Sequence, residues 1–279
     1  MLLGGLYGLY AAGLSLVFGV MRLVNVAHGD FIILGAFLVW VLQQATGISA
    51  PVLMLPLATA LMFGFGYAVQ RILLNPTLGE DMLRPVLVTF GLSVIIQNGL
   101  LEGFSADSRR IQAGGVEVAS LPIVDGLAVG VLPLLIFGVC IGVIALLQWM
   151  LYRTELGRAF RSTSDDAVTA GLMGVDDRHL FALATGIACA VVAIAGALAG
   201  IRSSFDPGSG AESLIFAFEA VIMGGLGSLW GTLAGGIVLG VAQSTGARLS
   251  PDWQVLTGHI VFLIVLVLRP GGLFPRRRD

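Results

Sequence analysis

Few residues of this sequence could do chemistry, and those that could are polar side chains set among long apolar segments. Glu219 lies within LIFAFEAVIM, five residues before the glycine pair Gly224 and Gly225. A charged side chain at the centre of a membrane span costs roughly 2.5–3.5 kcal/mol by insertion scales, so it usually faces protein or water. Glu219 is therefore expected either to bond a neighbouring helix or to line a solute pathway.

A second polar group lies in MRLVNVAHGDF, residues 21 to 31, which brings Asn25, His28 and Asp30 close together. In one interpretation the three lie at the end of a span, solvated or capping the next helix, with Asp30 as an ordinary N-terminal acid. In the other they line the inner mouth of a pathway or a gate. The sequence leaves both interpretations open.

Glycines interrupt the long apolar segment 211–246 at GGLGSLWG, residues 224 to 231. Gly224, Gly225 and Gly227 are expected to permit close helix packing and a turn. Backbone groups freed at such a turn could also contact a passing zwitterion. The segment is therefore expected to form either two spans joined by a tight turn or a broken re-entrant pair.

The sequence contains no recognisable catalytic or cofactor-binding motif of an enzyme. All fifteen basic residues are Arg, so no Lys-containing phosphate loop exists, and no His/Cys pattern indicates a metal site. No nucleophile–base pair is evident from spacing. We therefore expect no catalytic residue, no bound metal and no cofactor, and we expect Cys140 and Cys189 to be small core residues.

Composition places the chain in a membrane. It is 57% hydrophobic and 11% charged, whereas a soluble domain is about a quarter charged. Met1 opens directly on an apolar run without a basic region, so the first span is expected to be retained. The predicted fold is an all-α polytopic membrane protein of about nine spans (eight to ten), with an internal pseudo-repeat and broken helices, in one transmembrane domain over 1–279. The predicted spans are 1–20, 31–44, 50–70, 85–101, 127–151, 180–201, two within 211–246, and 255–268. Polar connections are expected at 71–84 and at 102–126, the second with a short extended piece in VEVASLPIV.

The longest polar interruption with a helical pattern is the loop 152–179. Its apolar and small residues recur at steps of four and three, which predicts one stripe along a helix or a pair of short helices: Leu156, Phe160, Thr163, Ala167, Ala170 and Met173. Ser164 is expected to cap a helix over about 165–173, with Asp165 in its first turn and Gly174 as its stop. An acidic pair, Asp176-Asp177, signals the start of the next span. The small-residue face of the predicted helix is equally consistent with docking of a partner protein and with lying on the membrane surface.

The distribution of Arg gives the orientation. With the loop 152–179 in the cytoplasm, alternation of the spans places eleven Arg residues inside and four outside, as the positive-inside rule requires. The turn at 22–30 then lies on the cytoplasmic side. The basic tail PRRRD is then an anchor at the lipid surface, and no nucleic-acid partner is expected.

Three stretches carry a resemblance to a known family. They are GLSLVFGVMRLVNVAHGDFIILGAF (13–37), GRAFRSTSDDAVTAGLMGVD within the loop, and AVIMGGLGSLWGTLAGGIVLG (220–240). In this order they resemble the branched-chain amino acid permeases of ABC importers, and the resemblance covers essentially the whole chain. Members of that family commonly carry further residues before an LLGGLYGLY-like run, so a longer N-terminus is expected.

The resemblance implies a subunit of the bacterial inner membrane that works with two cytoplasmic ATP-binding subunits, a second related permease and an extracytoplasmic solute-binding protein. ATP is then used by the partner subunits. The coupling segment, residues 157 to 174, would lie in a cleft of the ATPase, with the coupling residues Gly157, Arg158, Arg161, Asp165, Ala167, Ala170, Gly171 and Gly174. The translocation pathway or gate would contain Asn25, His28, Asp30, Glu219, Gly224, Gly225 and Gly227.

The resemblance implies import of branched-chain amino acids, with urea or short amides as alternative solutes. A different class, a stand-alone secondary transporter or channel, would need its own coupling-ion carboxylates near the membrane midplane. Glu219 alone is thin support for that class, which also leaves the cytoplasmic helix unexplained.

Overall fold

Long apolar helices make up most of the computed structural model, which describes residues 1–48, 50–79, 83–124 and 127–274. In chain order the helices are α1 Leu2–Met21, α2 His28–Thr46, α3 Leu55–Val69, α4 Leu83–Phe104, α5 Val131–Arg153, α6 Glu155–Asp165, α7 Ala167–Leu172, α8 Asp177–Arg202, α9 Gly210–Gly224, α10 Leu229–Leu249 and α11 Trp253–Leu268. The strands β1 Ser120–Val124 and β2 Leu127–Gly130 form an antiparallel hairpin. The predicted all-α polytopic membrane fold is confirmed.

Each predicted apolar segment coincides with a helix in the described part of the chain. Six of these helices are individually long and apolar enough to cross a membrane. The helices α9 and α10 pass that test only as a pair, which is bent by 117° at the glycine break, as a broken span or a re-entrant loop. The last helix, α11, is apolar but has only 16 residues. The expected count of about nine is therefore an approximation.

The prediction of a polar connection over 71–84 is wrong for residues 71–77. Helical backbone continues beyond α3 as a π-helical turn, Gln70–Leu74, and a 3-10 turn, Asn75–Thr77. The polar side chains there are satisfied within the bundle, because Gln70 donates to Asn75 Oδ1 at 3.0 Å and Asn75 donates to the carbonyl of Arg178 at 2.9 Å. Buried polar groups that are paired do not require the helix to end at water.

The extended piece predicted in residues 116–124 is confirmed over Ser120–Val124. Its partner strand takes the residues that were assigned to the start of the fifth span, and Ser120 lies opposite Gly130. The span α5 therefore begins at Val131, four residues later than predicted. Residues 125 and 126 lie outside the described residues.

The helices α1 and α8 occupy the middle of the bundle, where most of their residues are buried. Glycine lets α1 and α10 approach backbone to backbone: a Cβ built on Gly236 would lie 2.7 Å from the carbonyl oxygen of Gly4. Such contacts of small residues are how membrane helices pack closely. By contrast, α4 and α5 expose large apolar side chains such as Leu87, Ile95 and Leu146, as a lipid-facing surface does.

The two ends of the bundle differ in what they carry. At the end that we call the loop end, Ser164 of α6 donates to the carbonyl of Gly19 in α1 at 2.7 Å. At the opposite end, which we call the far end, Gln43 of α2 donates to the carbonyl of Gln112 at 2.7 Å. Assigning the loop end to the cytoplasm stays a prediction from the Arg distribution. The basic tail, residues 275–279, lies outside the described residues.

Candidate functional site

The loop 152–179 contains two short helices rather than one helix over 165–173. Thr154 caps α6, because its side-chain oxygen accepts from the backbone N–H of Gly157 at 3.1 Å. Asp166 starts α7 in the same way by accepting from the N–H of Thr169 at 3.0 Å. Asp165 is therefore the last residue of α6 and not part of a first turn. The pair of short helices that the stripe left open is therefore confirmed, but the start of the second is wrong by two residues, because the acidic side chain of Asp166 competes for backbone N–H groups and begins α7 there.

The other signals of this loop have mixed outcomes. Ser164 does not cap a helix, since its hydroxyl bonds α1. Gly174 has a φ of +85°, which confirms it as the stop after α7. Asp176 accepts from the N–H of His179 at 3.1 Å and caps α8, as the acidic pair predicted.

Most of the stripe of small and apolar residues faces the bundle, whereas its last member, Met173, is exposed. Phe160, Thr163 and Ala170 are buried, so the prediction of an outward small-residue face at Ala170 is wrong. Gly171 is open to its surroundings, with no atom within 4 Å of a Cβ built there. Leu172 and Met173 follow it and are 84% and 82% exposed. The surface that α7 presents is therefore the apolar tip Gly171–Met173, which we call the α7 tip.

Other residues of the predicted coupling segment hold α6 in place. Gly157 is buried where a Cβ would collide with the carbonyls that end α5. Arg161 donates to the carbonyl of Leu151, and its guanidinium lies 5.0 Å from the ring centre of Tyr152. Arg158 is exposed and lies 3.4 Å from Glu155. Ala167 is half-buried.

Asn25, His28 and Asp30 are all buried, so of the interpretations left open the one in which they are solvated at the end of a span is wrong. His28 Nε2 lies 2.8 Å from the carbonyl oxygen of Tyr10, halfway along α1. A carbonyl oxygen has two lone pairs and can accept this bond in addition to its helical one. The Asn25 side chain accepts from the N–H of Ala27 at 3.0 Å. The chain after α1 therefore turns back along it, and α2 begins level with the middle of α1.

Asp30 belongs to the first turn of α2, as its interpretation as an N-terminal acid predicted. It contacts the start of α9, where a Cβ on Gly210 would meet its carboxylate, and the hydroxyl of Ser93 in α4 bonds it. The backbones of α2 and α9 meet at Gly29 and Gly210. An acid beside a helix N-terminus is favoured by the helix dipole. Asp30 thus stabilises the point where two helices begin inside the bundle.

Glu219 bonds a neighbouring helix, which is the first of its two expected arrangements. It is only 4% exposed, and its Oε1 lies 2.5 Å from Nδ1 of His259 in α11. The ring of Phe216 stacks on His259 with centroids 6.2 Å apart. The other oxygen, Oε2, has no hydrogen-bond partner within the described ranges.

The C-terminal segment that follows α11 hydrogen-bonds to the glycine break between α9 and α10. Gly225 and Gly227 have φ values of +103° and +80°, which favour glycine. The carbonyls that the turn frees accept from the C-terminal segment: Met223 O from the N–H of Leu273 at 2.8 Å and Gly224 O from that of Phe274 at 3.1 Å. These carbonyls are therefore already satisfied and do not await a solute. No pattern in the sequence indicated this contact.

Cavities lie at both ends of the bundle, and two of them carry several polar side chains. One of about 260 Å³ at the loop end lies among Ser15, Gln148, Arg161, Ser228 and Phe274. The other, of about 200 Å³ at the far end, is lined by Tyr7, Tyr10, Arg202, Glu212 and Gln243, among others. Sequence reasoning missed the second cavity, although two opposite charges that flank the loop 203–209 were a visible signal. Among the described residues no cluster of His, Cys, Asp and Glu could hold a metal ion.

Comparison with known proteins gives a consistent result over the whole chain. The family model for the permease component of branched-chain amino acid transport systems matches residues 1–268. The high-affinity branched-chain amino acid transport system permease protein BraD of Pseudomonas aeruginosa is 30% identical over 98% of this chain and 92% of its own length. LivH of Escherichia coli K12, a permease protein with the same description, is 26% identical over 98% and 92%. LivM, another permease protein of that description in the same organism, is 26% identical over 98% of this chain and 68% of its own length. No solved structure matches significantly.

Proposed function

This chain belongs to the family of permease components of branched-chain amino acid transport systems, and on that premise we propose that it passes branched-chain amino acids into the cytoplasm as one subunit of an ATP-driven importer. It is a multi-pass inner-membrane permease and not an enzyme. The direction of transport, the solute and the partner subunits are what the proposal adds.

The observation that carries the proposal is the α7 tip. It presents Leu172 and Met173 at the loop end, almost fully exposed. Exposed neighbouring apolar side chains on a protein surface mark interaction sites. The chain has no phosphate-binding loop of its own, so work must reach it through a rigid element bound to a subunit that hydrolyses ATP.

The rigidity of that element comes from α6. Phe160 is buried, Ser164 bonds α1, and Gly157 packs against the end of α5. A displacement of the α7 tip is therefore transmitted to α1 and α5 instead of being absorbed by a loose loop. In this proposal Gly157, Arg161, Ala167, Ala170 and Gly174 position the segment. Arg158, Asp165 and Gly171 contact the ATPase together with the tip.

The partners follow from the family. We propose two cytoplasmic ATP-binding subunits and an extracytoplasmic solute-binding protein. The second permease is proposed to be a related chain, because this chain is similar to both LivH and LivM of one organism. No cofactor is proposed for this chain, and ATP is used by the partners.

The residues predicted to form the translocation pathway or gate are proposed to hold in place the helices that surround that pathway. Asn25, His28 and Asp30 fix the level at which α2 begins, and Glu219 with His259 joins α9 to α11. Gly224, Gly225 and Gly227 form the turn between α9 and α10. Movement of these junctions relative to one another would open and close the route between the two ends.

The test uses Leu172→Glu in the assembled importer. A charge at the α7 tip should weaken docking on the ATPase, so leucine uptake should fall at least tenfold. The amount of the chain in the membrane should be unchanged, because the Leu172 side chain is 84% exposed. Uptake of labelled leucine and immunoblotting measure the two quantities.

Val118→Glu is the matched control, since Val118 is 82% exposed in the loop before β1 at the far end. It should leave uptake within about twofold of the wild type. Normal uptake by the Leu172→Glu variant would contradict the assignment of the α7 tip.

A further inference from the structure

The far-end cavity has the chemistry of a small binding site. Its volume of about 200 Å³ is below the roughly 300–1,000 Å³ of pockets for drug-sized ligands, so it suits a smaller solute. It lies between α1, α8, α9 and α10, and its mouth is formed by exposed residues of the loop 203–209. The occupant must therefore be small and reach it from the far end.

Two opposite charges line this cavity without neutralising each other. Arg202 belongs to the last turn of α8 and Glu212 to the first turn of α9. Both are exposed, and no ion pair joins them among the residues that the structure describes. Arg binds carboxylates through two parallel N–H donors. A carboxylate such as Glu212 binds an ammonium group. The cavity thus offers one partner for each end of a zwitterion.

A buried amide adds an unused donor to the same lining. Gln243 is fully buried, and its Oε1 accepts from the hydroxyl of Tyr7 at 2.5 Å. Its Nε2 has no hydrogen-bond partner in the described part of the chain. Buried polar groups are nearly always paired, and an exception indicates a functional role or a missing partner. Because Nε2 is itself fully buried, a carboxylate in the cavity reaches it only if the bonded pair of Tyr7 and Gln243 moves on binding.

The rest of the lining is both polar and apolar. Ser204 and Ser213 are polar, whereas Leu6, Ile33 and Phe216 give apolar surface. Below Phe216 the helices are closed by the bonded pair Glu219 and His259. The cavity therefore ends inside the bundle, above a polar junction of α9 and α11.

We propose that this cavity binds an α-amino acid with an apolar side chain on its way through the permease. Arg202 binds the carboxylate, Glu212 binds the ammonium group, and Leu6, Ile33 and Phe216 surround the side chain. The inference rests on the proposed function and deepens it, because it selects zwitterionic amino acids over uncharged amides or urea as the solute class.

Leucine uptake by Arg202→Gln and Glu212→Gln in the assembled importer is the first test. Each variant should lower uptake at least tenfold at leucine concentrations below saturation, and Arg202→Lys, which keeps the charge, should retain more uptake than Arg202→Gln. Arg248→Gln and Glu102→Gln are matched controls, because both residues are exposed and neither lines the cavity. They should transport within about twofold of the wild type. Wild-type uptake by both cavity variants overturns the site.

The second test measures occupancy without transport. Cys140 and Cys189 are buried, so Ser204→Cys places an accessible thiol at the cavity in the assembled importer in membranes. Leucine should slow its labelling by a membrane-impermeant maleimide at least threefold. Leucinamide, which lacks the carboxylate, and 4-methylpentanoate, which lacks the ammonium group, should not. Labelling of Val118→Cys should be unaffected by all three.

The two tests fail in distinguishable ways. Labelling of Ser204→Cys needs no ATP, so protection by leucine supports the site even where ATP-dependent uptake by the wild type, and with it the proposed function, fails. Equal protection by leucine and both analogues, or no protection by leucine, overturns the site while leaving ATP-driven uptake standing.

Discussion

Three buried polar side chains of this protein bond to helices or side chains that are distant in sequence. His28 bonds α1, Glu219 bonds His259, and Tyr7 bonds Gln243. In lipid, polar groups must find partners within the protein. Sequence reasoning recognised Glu219 and His28 as unusual but could not assign their partners, because a partner 40 residues away is brought near only by packing. Tyr7 and Gln243 gave no signal at all.

Replacing His259 with Ala should destabilise the protein through the group that it leaves behind. The carboxyl group of Glu219 would stay buried without its partner, and breaking a buried pair in this way costs about 3–5 kcal/mol. Because the His259 side chain is itself 37% exposed, we expect about 3 kcal/mol, the lower end of that range. Thermal unfolding of the purified chain in detergent measures the change.

His179→Ala is the control for that substitution. His179 is exposed and bonded to Tyr67 at 2.9 Å, so its loss should cost about 1 kcal/mol. An equal shift in the two variants would show that the pair of Glu219 and His259 has no special role in holding α9 to α11.

At the scale of helices, glycine decides which elements touch. The 39 glycines of the chain indicated close packing but not where it occurs. The structure places some of them at backbone contacts, as between α1 and α10, and others at open surface. The helices themselves were predictable from apolar length. Their ends were predicted less well, since side-chain caps such as Thr154 and Asp166 and buried bonds such as that of Asn75 decide where a helix begins or continues.

Gly236→Leu should therefore destabilise the bundle, whereas Gly142→Leu should not. A side chain at 236 would meet backbone atoms of Gly4 and Gly8, which cannot move aside as a flexible side chain can. Overpacking of this kind costs about 1–3 kcal/mol. No atom lies within 4 Å of a Cβ on Gly142. Thermal unfolding in detergent of both variants measures the difference, and equal stability would contradict the packing of α1 on α10.

For the molecule as a whole, the two ends carry different chemistry on one rigid core. The α7 tip offers an apolar contact at the loop end, and the cavity at the far end offers two opposite charges. Between them α1 and α8 are buried, and α1 contacts both α6 at the loop end and the cavity at the far end. This helix is therefore a direct physical connection between the proposed coupling surface and the proposed solute site.

Composition and the lengths of the apolar segments predicted the membrane fold and most of its spans, but not the depth at which each helix begins. Residues 22–27 return along α1 because His28 finds the carbonyl of Tyr10 as its partner. That arrangement depends on tertiary contacts, so the polar stretch looked like a surface turn in the sequence. The far-end cavity was missed for the same reason, since its lining comes from helices at opposite ends of the chain.

The most direct test of the account is leucine accumulation by proteoliposomes that contain this chain with its partner permease and ATP-binding subunits. Leucine and the solute-binding protein are supplied outside, with hydrolysable ATP, or a non-hydrolysable analogue, sealed inside. We expect the internal leucine concentration to exceed the external one only with hydrolysable ATP and the binding protein. Equal entry of leucine with the analogue would contradict the account and indicate a channel or carrier that works on its own.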